Sequence, residues 1–425
     1  MKKRKIDGTL IENLKKTLLK SKKAKLATPF STFLEKSKFL YSMKNFLIRK
    51  ATFDDIAKLQ VFFIKAYGTD TIFQNEFFLS YYFNSDLSGK PTFNNCIIAF
   101  NEKNEIIAHY GGLEYQLRTN KIIRTLIWGV NAYTLPEYRG KGINSKIIEF
   151  IGHDFEVNGV IGFSYQTSLF YDTINYNIFN FEKFSRHVFV IDKDRTSQII
   201  RYINRDNILL INLIEFQIRG QDKSINYNIL QLTSINIENL ELNLYEDFLN
   251  ISTTNRTKKF LKWRFLENPY INYLLFGIIE NNKLIAYIAL RFETLDPFNF
   301  RITRIIDLFG KRDVIHLLLN KAIETSIAEN HIYLDFSKFG IQYNSELDAC
   351  GFIHLKNNDY CVLPQVTCPI ENRDNYEFIG LKSILHSGEI NKLSASDVYF
   401  TRVDSDRDRL ANINQILNDK SDESE

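Results

Sequence analysis

The stretch that says most about the fold is LPEYRGKGINS, which covers residues 135–145. It lies between a strand-like run, Ile122–Tyr133, and a helical run that we predict from Ser145 to about Val157. Its two glycines allow the backbone to turn tightly and to expose consecutive amides. The start of the helix adds unpaired N–H groups and the positive end of the helix dipole, and an arginine and a lysine add charge. Together these features predict a binding site for a pyrophosphate group.

The spacing of the glycines excludes two common nucleotide motifs. A dinucleotide-binding fingerprint that began at Gly140 would need glycine or alanine at position 145, where this chain has Ser145. The motif Gly-x4-Gly-Lys-Ser/Thr, which cradles the phosphates of nucleoside triphosphates, does not occur in the sequence. Taken alone, the loop could equally be a basic turn that caps a helix.

The elements on either side of the loop indicate a mostly antiparallel sheet. Three strand-like runs with turn-forming residues between them predict three consecutive strands, and helical spacing predicts helices before and after them. In chain order we predict a strand at 45–49, a helix from Thr52 to Tyr67, a helical stretch at 73–83, strands at 96–100, 106–117 and 122–133, the helix after the loop, and a strand at 160–166.

From Ile48 to Val190 the chain resembles the GNAT family (GCN5-related N-acetyltransferases). The family motif Arg/Gln-x-x-Gly-x-Gly/Ala is matched from Arg139 onward, with Asn144 in the last place. The family signature Tyr-x-x-Leu-Gly-Phe is matched by Tyr176–Phe181, where an asparagine replaces glycine and can adopt the same left-handed backbone. The resemblance implies an α/β (α+β) fold with a mixed, mostly antiparallel central sheet flanked by helices.

The resemblance also implies where acyl-CoA would bind. Its thioester arm would enter a gap between the strand that ends near Tyr133 and the strand at 160–166. The cofactor-binding residues implied in this way are Ala132, Tyr133 and Thr134 for the pantetheine arm, and Arg139, Gly140, Lys141, Gly142, Ile143 and Asn144 for the pyrophosphate.

The resemblance further implies a mechanism in which a primary amine attacks the thioester directly and a tyrosine protonates the departing thiolate. Tyr176 holds that position here, with Tyr171 as a nearby rival, and a phenol with a pKa of about 10 is a suitable acid for a thiolate. Residues 122–135 contain no carboxylate, so we expect the general base on a neighbouring strand. Glu114 is the candidate base and His109 is the alternative, each acting directly or through water.

A second series of elements, at about 251–402, predicts a second GNAT-like domain. Asp348–Phe352 resembles the end of the downstream signature. The place of the glycine loop is taken by Leu308–Asp313, which lacks paired glycines and puts Asp313 at the helix start, where its charge would repel phosphate. We therefore predict a degenerate domain that binds no CoA and helps to form the acceptor site or the wall between the domains.

The predicted organisation along the chain is a basic helical extension at 1–43, a GNAT domain with the acyl-CoA site at 44–192, a connecting segment at 193–250, the degenerate GNAT-like domain at 251–402, and a charged tail at 403–425. We expect the leucine stripe of the basic helix to pack on the body of the protein, with contact to an anionic membrane surface as the alternative. The alternating charges at 404–409 indicate a solvated face, with contact to a substrate as the alternative.

Charge, cysteine spacing and hydropathy limit the ligands and the location that we expect for this protein. A net charge of +4 over 425 residues gives no indication of nucleic-acid binding. The four cysteines form no CxxC pair and no spacing of zinc-site type, so we expect no metal site. Neither an apolar run long enough for a membrane span nor a signal-peptide pattern occurs, and we therefore expect a cytoplasmic protein.

The function predicted from these features is that of an acyl-CoA-dependent N-acyltransferase. Acetyl-CoA, or another acyl-CoA, is the expected co-substrate, and a small primary amine is the expected acceptor. Tandem proteins of this kind suggest a nucleotide-linked amino sugar of bacterial surface-polysaccharide biosynthesis as the specific acceptor. One alternative is a tandem-GNAT aminoacyl transferase of peptidoglycan type, against which the intact loop argues. Another is a non-catalytic CoA-binding or partner-binding module.

Overall fold

The computed structural model describes residues 41–43, 46–83, 95–203, 228–355, 362–367, 370–371, 377–384 and 389–410. The basic helix predicted near the start, a strand expected at 209–216 within the connecting segment, and the predicted tail beyond 410 lie outside the described residues. Every helix among the described residues is too short or too polar to cross a membrane. The described residues from Ser42 onward belong to one compact unit.

Strands and helices alternate along the chain. The strands are β1 (Tyr41–Met43), β2 (Phe46–Lys50), β3 (Cys96–Phe100), β4 (Ile106–Thr119), β5 (Ile122–Thr134), β6 (Val157–Phe163), β7 (Ser185–Val190), β8 (Ile229–Gln231), β9 (Glu241–Leu242), β10 (Thr253–Thr254), β11 (Tyr273–Glu280), β12 (Lys283–Leu295), β13 (Phe300–Gly310), β14 (Tyr333–Phe339), β15 (Ile353–Leu355), β16 (Val366–Thr367), β17 (Ile370–Glu371), β18 (Phe378–Ser383) and β19 (Phe400–Thr401). The α-helices are α1 (Ile56–Tyr67), α2 (Glu76–Phe83), α3 (Ile143–Ile151), α4 (Tyr165–Thr173), α5 (Lys193–Ile203), α6 (Ser234–Glu238), α7 (Lys258–Leu261), α8 (Arg312–Ala328) and α9 (Asn344–Ala349).

The first sheet has eight strands among the described residues, in the order β1-β2-β3-β4-β5-β6-β18, with β10 paired to β4. The pairs from β2 to β5 are antiparallel, β5–β6 is parallel, and β6–β18 is antiparallel. Alternate residues of β4, from Leu113 to Leu117, are buried in the same core as Leu59 and Phe63 of α1. Helix α3 lies against β3, β4 and β5 and buries its isoleucines. This alternation of buried and exposed residues is what a sheet with helices packed on it requires.

The second sheet has nine strands among the described residues, in the order β15-β7-β14-β13-β12-β11-β8. Off this path, β19 pairs with β14 and β9 pairs with β12. As in the first sheet, the long hairpin strands β11, β12 and β13 are antiparallel; the pairs β13–β14 and β12–β9 are parallel. Helix α8 packs against β11 to β14 and buries Ile315, Leu318 and Leu319. The predicted fold class, two mostly antiparallel sheets flanked by helices, is confirmed.

The two halves of the chain exchange strands. Strand β7, from the first half, pairs with β14 and β15 in the second sheet. Strand β18, from the second half, pairs with β6 in the first sheet. Each sheet is therefore completed by a strand from the other half, which explains why both sheets belong to one compact unit. The domain limits predicted along the chain do not include this exchange.

Two expectations about local structure need correction. The helix after the glycine loop begins at Ile143, because Gly142 adopts a left-handed conformation at its N-terminal cap, and it ends at Ile151 with Gly152 as its C-terminal cap. The strand that follows begins at Val157 and ends at Phe163, whereas the sequence pattern predicted 160–166. The sheet pairing of Val157 and Asn158 with β5 decides where this strand starts.

The alternating charges at 404–409 do not form a solvated face. Asp404 and Asp408 are buried, and they pair with the buried guanidinium groups of Arg256 and Arg264. A charge is buried without great cost only when it has such a partner. The prediction is wrong because the partners come from a distant segment that charge spacing within 404–409 cannot reveal. The described part of the predicted charged tail is packed inside the fold.

Candidate active site

The parallel strands β5 and β6 part from each other halfway along their length. Their pairing runs from Leu126 opposite Val157 to Gly129 opposite Val160. Beyond this point β5 continues to Thr134 and β6 continues to Phe163. The other edge of β5 stays paired with β4 as far as Thr134. A wedge therefore opens between β5 and β6, and no strand among the described residues pairs with the side of β5 that faces it.

Ala132, Tyr133 and Thr134 all lie on the part of β5 that borders this wedge. A bulge precedes them, because the register between β4 and β5 shifts between His109 and Gly111. Asn131 adopts a left-handed backbone at the bulge, with φ of 52°. The structure thus brings the three residues predicted for the pantetheine arm to the expected gap, directly after a bulge that the sequence analysis did not foresee.

The bulge at Asn131 is held by hydrogen bonds to its carbonyl oxygen. That oxygen accepts from Nδ1 of His109, at 3.1 Å, and from the hydroxyl of Tyr67, at 3.2 Å. Nε2 of His109 lies 3.0 Å from Sγ of Cys96, and this assignment makes the thiol the donor. Burial lowers the pKa of His109 to about 4. With both ring nitrogens bonded inside the protein, His109 supports the bulge, and we no longer propose it as the base.

The glycine loop lies at the start of α3. Gly140 and Gly142 both have φ of 75°, a conformation that other residues adopt only at a cost. A Cβ atom at either position would meet no other atom within 4 Å, so the space beside the loop is open. Ile143 is buried, so only its backbone N–H can take part in binding. The first N–H groups of α3 have no acceptor within the helix and are available to an anion.

Contacts with the end of β5 hold the polar side chains of the loop in place. Nε of Arg139 donates to the carbonyl oxygen of Thr134 at 3.1 Å, and its guanidinium carbon lies 5.3 Å from the centre of the Tyr133 ring. The hydroxyl of Thr134 donates to Oδ1 of Asn144 at 2.9 Å. Asn144 therefore joins the helix start to the strand, which gives a physical role to the residue that departs from the family motif. Nζ of Lys141 lies 4.6 Å from the ring centre of Tyr138.

Tyr176 is buried and its hydroxyl is already engaged. It donates to Oδ1 of Asn158 at 2.9 Å, and the hydroxyl of Tyr110 donates to the same oxygen at 3.0 Å. Burial raises the pKa of Tyr176 well above its usual value. Asn158 lies on β6 within the paired part of the strand, next to the point where the wedge opens.

Tyr171 lies in the last turn of α4, and its ring centre is 4.8 Å from that of Tyr176. It is also 5.1 Å from the ring centre of Phe163, the residue that ends β6 beyond the opening of the wedge. Its hydroxyl has no hydrogen-bond partner among the residues that the structure describes. Asn175 follows with φ of 65°, so residues 171–176 match the signature spacing as well as residues 176–181 do. Asn175 and Asn180 each occupy the glycine position of the signature, so the sequence contained a signal for both alignments.

Glu114 lies on β4 and is half-buried. It is opposite Ile127, and Gly112 on the same strand is opposite Gly129, where the wedge begins. Glu114 therefore lies next to the part of β5 that still pairs with β6, and not next to the part that borders the wedge. Its role as a base stays a prediction.

The corresponding gap in the second sheet is filled by the chain itself. The parallel pairing of β13 and β14 ends at Ile305 opposite Phe336, although both strands continue. Strand β19 pairs with β14 in this gap, and the hydroxyl of Tyr399 donates to the carbonyl oxygen of Leu308 at 2.6 Å. At the start of α8, the backbone N–H of Arg312 donates to Oδ2 of Asp247 at 2.7 Å. A carboxylate thus takes the place that a phosphate would need, which supports a second half without CoA.

Comparisons with known proteins concern the fold. No family model and no curated protein sequence matches the chain. The N-myristoyltransferase of Saccharomyces cerevisiae with bound myristoyl-CoA is similar in structure, with a TM-score of 0.51 and 9% identity over 88% of this chain and 93% of that chain. A structure of the same yeast enzyme with myristoyl-CoA and inhibitors has a TM-score of 0.50 and 11% identity over 88% and 90%.

A GCN5-related N-acetyltransferase from Kribbella flavida also matches, with a TM-score of 0.48 and 9% identity over 79% of this chain and 70% of that chain. All three identities are too low to transfer an activity, so the similarity informs the fold alone. Two sheets, each with a parallel pair that parts, agree with the tandem arrangement predicted from the sequence. The chain therefore has a GNAT-type fold in a tandem arrangement, and it is similar in structure to the yeast N-myristoyltransferase.

Proposed function

We propose that this chain transfers an acyl group from acyl-CoA to a primary amine. The observation that carries the proposal is the wedge between β5 and β6 with the open glycine loop beside it. The side of Ala132–Thr134 that faces the wedge and pairs with no described strand suits the amides of a pantetheine arm, and the N–H groups at the start of α3 suit a pyrophosphate. The similar yeast structures contain bound myristoyl-CoA, which supports the same class of co-substrate.

Acetyl-CoA, or another short acyl-CoA, is the donor that we propose. The tip of the wedge is closely packed, because the hydroxyl of Tyr110 would lie 1.9 Å from a Cβ atom placed on Gly129. Tyr176 and Asn158 fill the same region and are buried. A short acyl group would fit beside these side chains, whereas a long acyl chain would have to displace them.

The proposed reaction is a direct attack by the amine nitrogen on the thioester carbonyl, in which the carbon–sulfur bond breaks. A tyrosine donates its proton to the departing thiolate, and the geometry favours Tyr171, whose hydroxyl bonds to no described residue, over Tyr176, whose hydroxyl donates to Asn158. Glu114 remains the proposed base for the proton that the amine loses. The acceptors that we propose are small primary amines, with a nucleotide-linked amino sugar of a bacterial surface polysaccharide as the specific candidate. A cytoplasmic location stays part of this proposal.

Acyl-CoA binding can be tested at Gly142 with two variants of equal size. Wild-type protein should unfold at a higher temperature with acetyl-CoA, since a ligand at 100 times its Kd stabilises by about 2.7 kcal/mol. Gly142→Glu and Gly142→Gln share the strain of a left-handed backbone at φ 75°, but only the glutamate adds a negative charge to the anion site. At an effective dielectric of about 40 and a distance of about 6 Å, each phosphate charge costs about 1.4 kcal/mol.

Binding to Gly142→Glu should therefore be about 100-fold weaker than binding to Gly142→Gln. Equal affinities would show that the anion is not at this loop, and a wild type that does not bind acetyl-CoA would overturn the proposal. A panel of amines and nucleotide-linked amino sugars, followed by mass spectrometry for an added acetyl group, then identifies the acceptor. Binding without any acylated product would favour the non-catalytic module, and binding of aminoacyl-tRNA in place of acyl-CoA would favour the peptidoglycan-type transferase.

A further inference from the structure

The chain that fills the gap in the second sheet continues directly to the wedge of the first sheet. After β19, residues 402–410 form a series of turns, which we call the closing turn. Arg256 anchors it by pairing with Asp404 at 3.2 Å and with Asp307 of β13 at 3.0 Å. Arg264 pairs with Asp408 further along. These side chains are almost fully buried, so the closing turn has a fixed place in the fold.

The closing turn contacts both strands that border the wedge. On the β5 side, Nη2 of Arg409 donates to Oδ1 of Asn131 at 3.1 Å. On the β6 side, the guanidinium of Arg407 lies against Gly162, where an added Cβ atom would be 2.5 Å from Nη1. Arg407 is itself held by Glu377 at 2.5 Å. A single short segment therefore links β5 to β6 at the place where their own hydrogen bonds have ended.

Three other contacts hold the guanidinium group of Arg409 in place beside Asn131. Its Nε donates to Oδ2 of Asp406 at 2.9 Å, and its Nη1 donates to the carbonyl oxygen of Leu410 at 2.9 Å. Its guanidinium carbon also lies 5.0 Å from the ring centre of Phe73. A planar guanidinium held in this way presents its remaining N–H in one direction. Arg409 therefore restrains the side chain of Asn131, while His109 and Tyr67 restrain its carbonyl oxygen.

We propose that Arg409 is a positioning residue for acyl transfer, and that the second half of the chain serves to deliver it to the bulge at Asn131. This proposal rests on the proposed function. The backbone at Ala132–Thr134, assigned to the pantetheine arm, follows the bulge directly, so a displaced bulge would displace the thioester. A shift of about 1 Å in a reacting group can cost about 100-fold in rate. The contact of Arg409 is with Asn131, whereas the glycine loop at residues 139–144 is joined to β5 further along, at Thr134.

The experiment compares Arg409→Gln with the matched control Arg195→Gln. Arg195 also pairs with an aspartate three residues earlier, Asp192, at 3.0 Å, and lies 5.8 Å from the ring centre of Phe300. This phenylalanine belongs to β13 of the second sheet, whereas the wedge strands β5 and β6 belong to the first. We expect the kcat of CoA release from acetyl-CoA, with the best amine of the panel, to fall about 10- to 100-fold in Arg409→Gln only. The KM for acetyl-CoA should change by less than about threefold, since the glycines and the helix N–H groups proposed to bind the pyrophosphate are unaltered in this variant.

Two further measurements separate positioning from general loss of structure. Amide hydrogen exchange at residues 129–134 should accelerate in Arg409→Gln and not in Arg195→Gln. Millimolar guanidinium should restore part of the kcat of Arg409→Ala, and Arg409→Lys serves if the glutamine variant does not fold. Wild-type kcat in Arg409→Gln, or unchanged exchange at 129–134, would overturn the inference while leaving the proposed function intact. Failure of the wild type to bind acetyl-CoA would instead remove the proposed function on which it rests.

Discussion

Replacing Tyr171 or Tyr176 with phenylalanine removes one hydroxyl group and leaves the ring in place. In Tyr176→Phe, the lost hydrogen bond is the one donated to Oδ1 of Asn158. That oxygen still accepts from Tyr110, so no buried acceptor is left unsatisfied. The cost should be that of one net hydrogen bond, about 0.5–1.5 kcal/mol of unfolding free energy. In Tyr171→Phe no hydrogen bond to a described residue is lost, and stability should change by less than about 0.5 kcal/mol.

The effects on turnover should have the opposite order. Removing a general acid lowers kcat by about 100- to 10,000-fold, and we expect this loss in Tyr171→Phe. Tyr176→Phe should lose less than about tenfold, because its hydroxyl is bonded inside the protein. Both variants should bind acetyl-CoA like the wild type.

The assay combines denaturant unfolding, calorimetric titration with acetyl-CoA and steady-state kinetics of CoA release. Loss of turnover in Tyr176→Phe with retention in Tyr171→Phe would refute the reasoning and return the acid role to Tyr176. Retention in both variants would mean that water, or another group, protonates the thiolate. Equal losses of stability in the two variants would contradict the hydrogen-bond assignment at Asn158.

Two other predictions concern the second sheet. Burial of Glu293 acts to raise its pKa, but the guanidinium groups of Arg304 and Arg291 outweigh this and lower it to about 2. Because the folded pKa is below the ordinary value of 4.5, the ionised group stabilises the fold above that pH and the contribution is lost as the pH falls toward 2. When the pH is lowered from about 5 to about 2, the free energy of unfolding should therefore fall less in Glu293→Gln than in the wild type, as measured by urea titration. Equal losses in the two proteins would contradict this. Calorimetry should find one acetyl-CoA site per chain in the wild type. Asp247→Asn should also have one site, because β19 still fills the gap in the second sheet. A second site in either protein would be inconsistent with that role for β19.

Local features of the fold were accessible from the sequence. The bounds of β3 were predicted without error, and those of β4 and β5 to within two residues, because turn-forming residues separate these strand-like runs. Gly140 and Gly142 indicated an anion site because glycine adopts a left-handed backbone without the steric cost that other residues incur. Tyr171 and Tyr176 could not be separated, since the spacing of the signature fits both and only the hydrogen bond to Asn158 distinguishes their hydroxyls.

Long-range pairing was decided by the tertiary structure. No local pattern shows that β7 completes the second sheet or that β18 completes the first, because strand partners are chosen by contacts between distant segments. The same reason applies to residues 404–409, whose charges looked solvated until Arg256 and Arg264 supplied buried partners. The sequence by itself determined the glycine loop and the elements around it, through backbone conformation and residue periodicity. The wedge, the filled second gap and the placement of Arg409 at the bulge depend on where strands stop pairing, which only the assembled sheets decide.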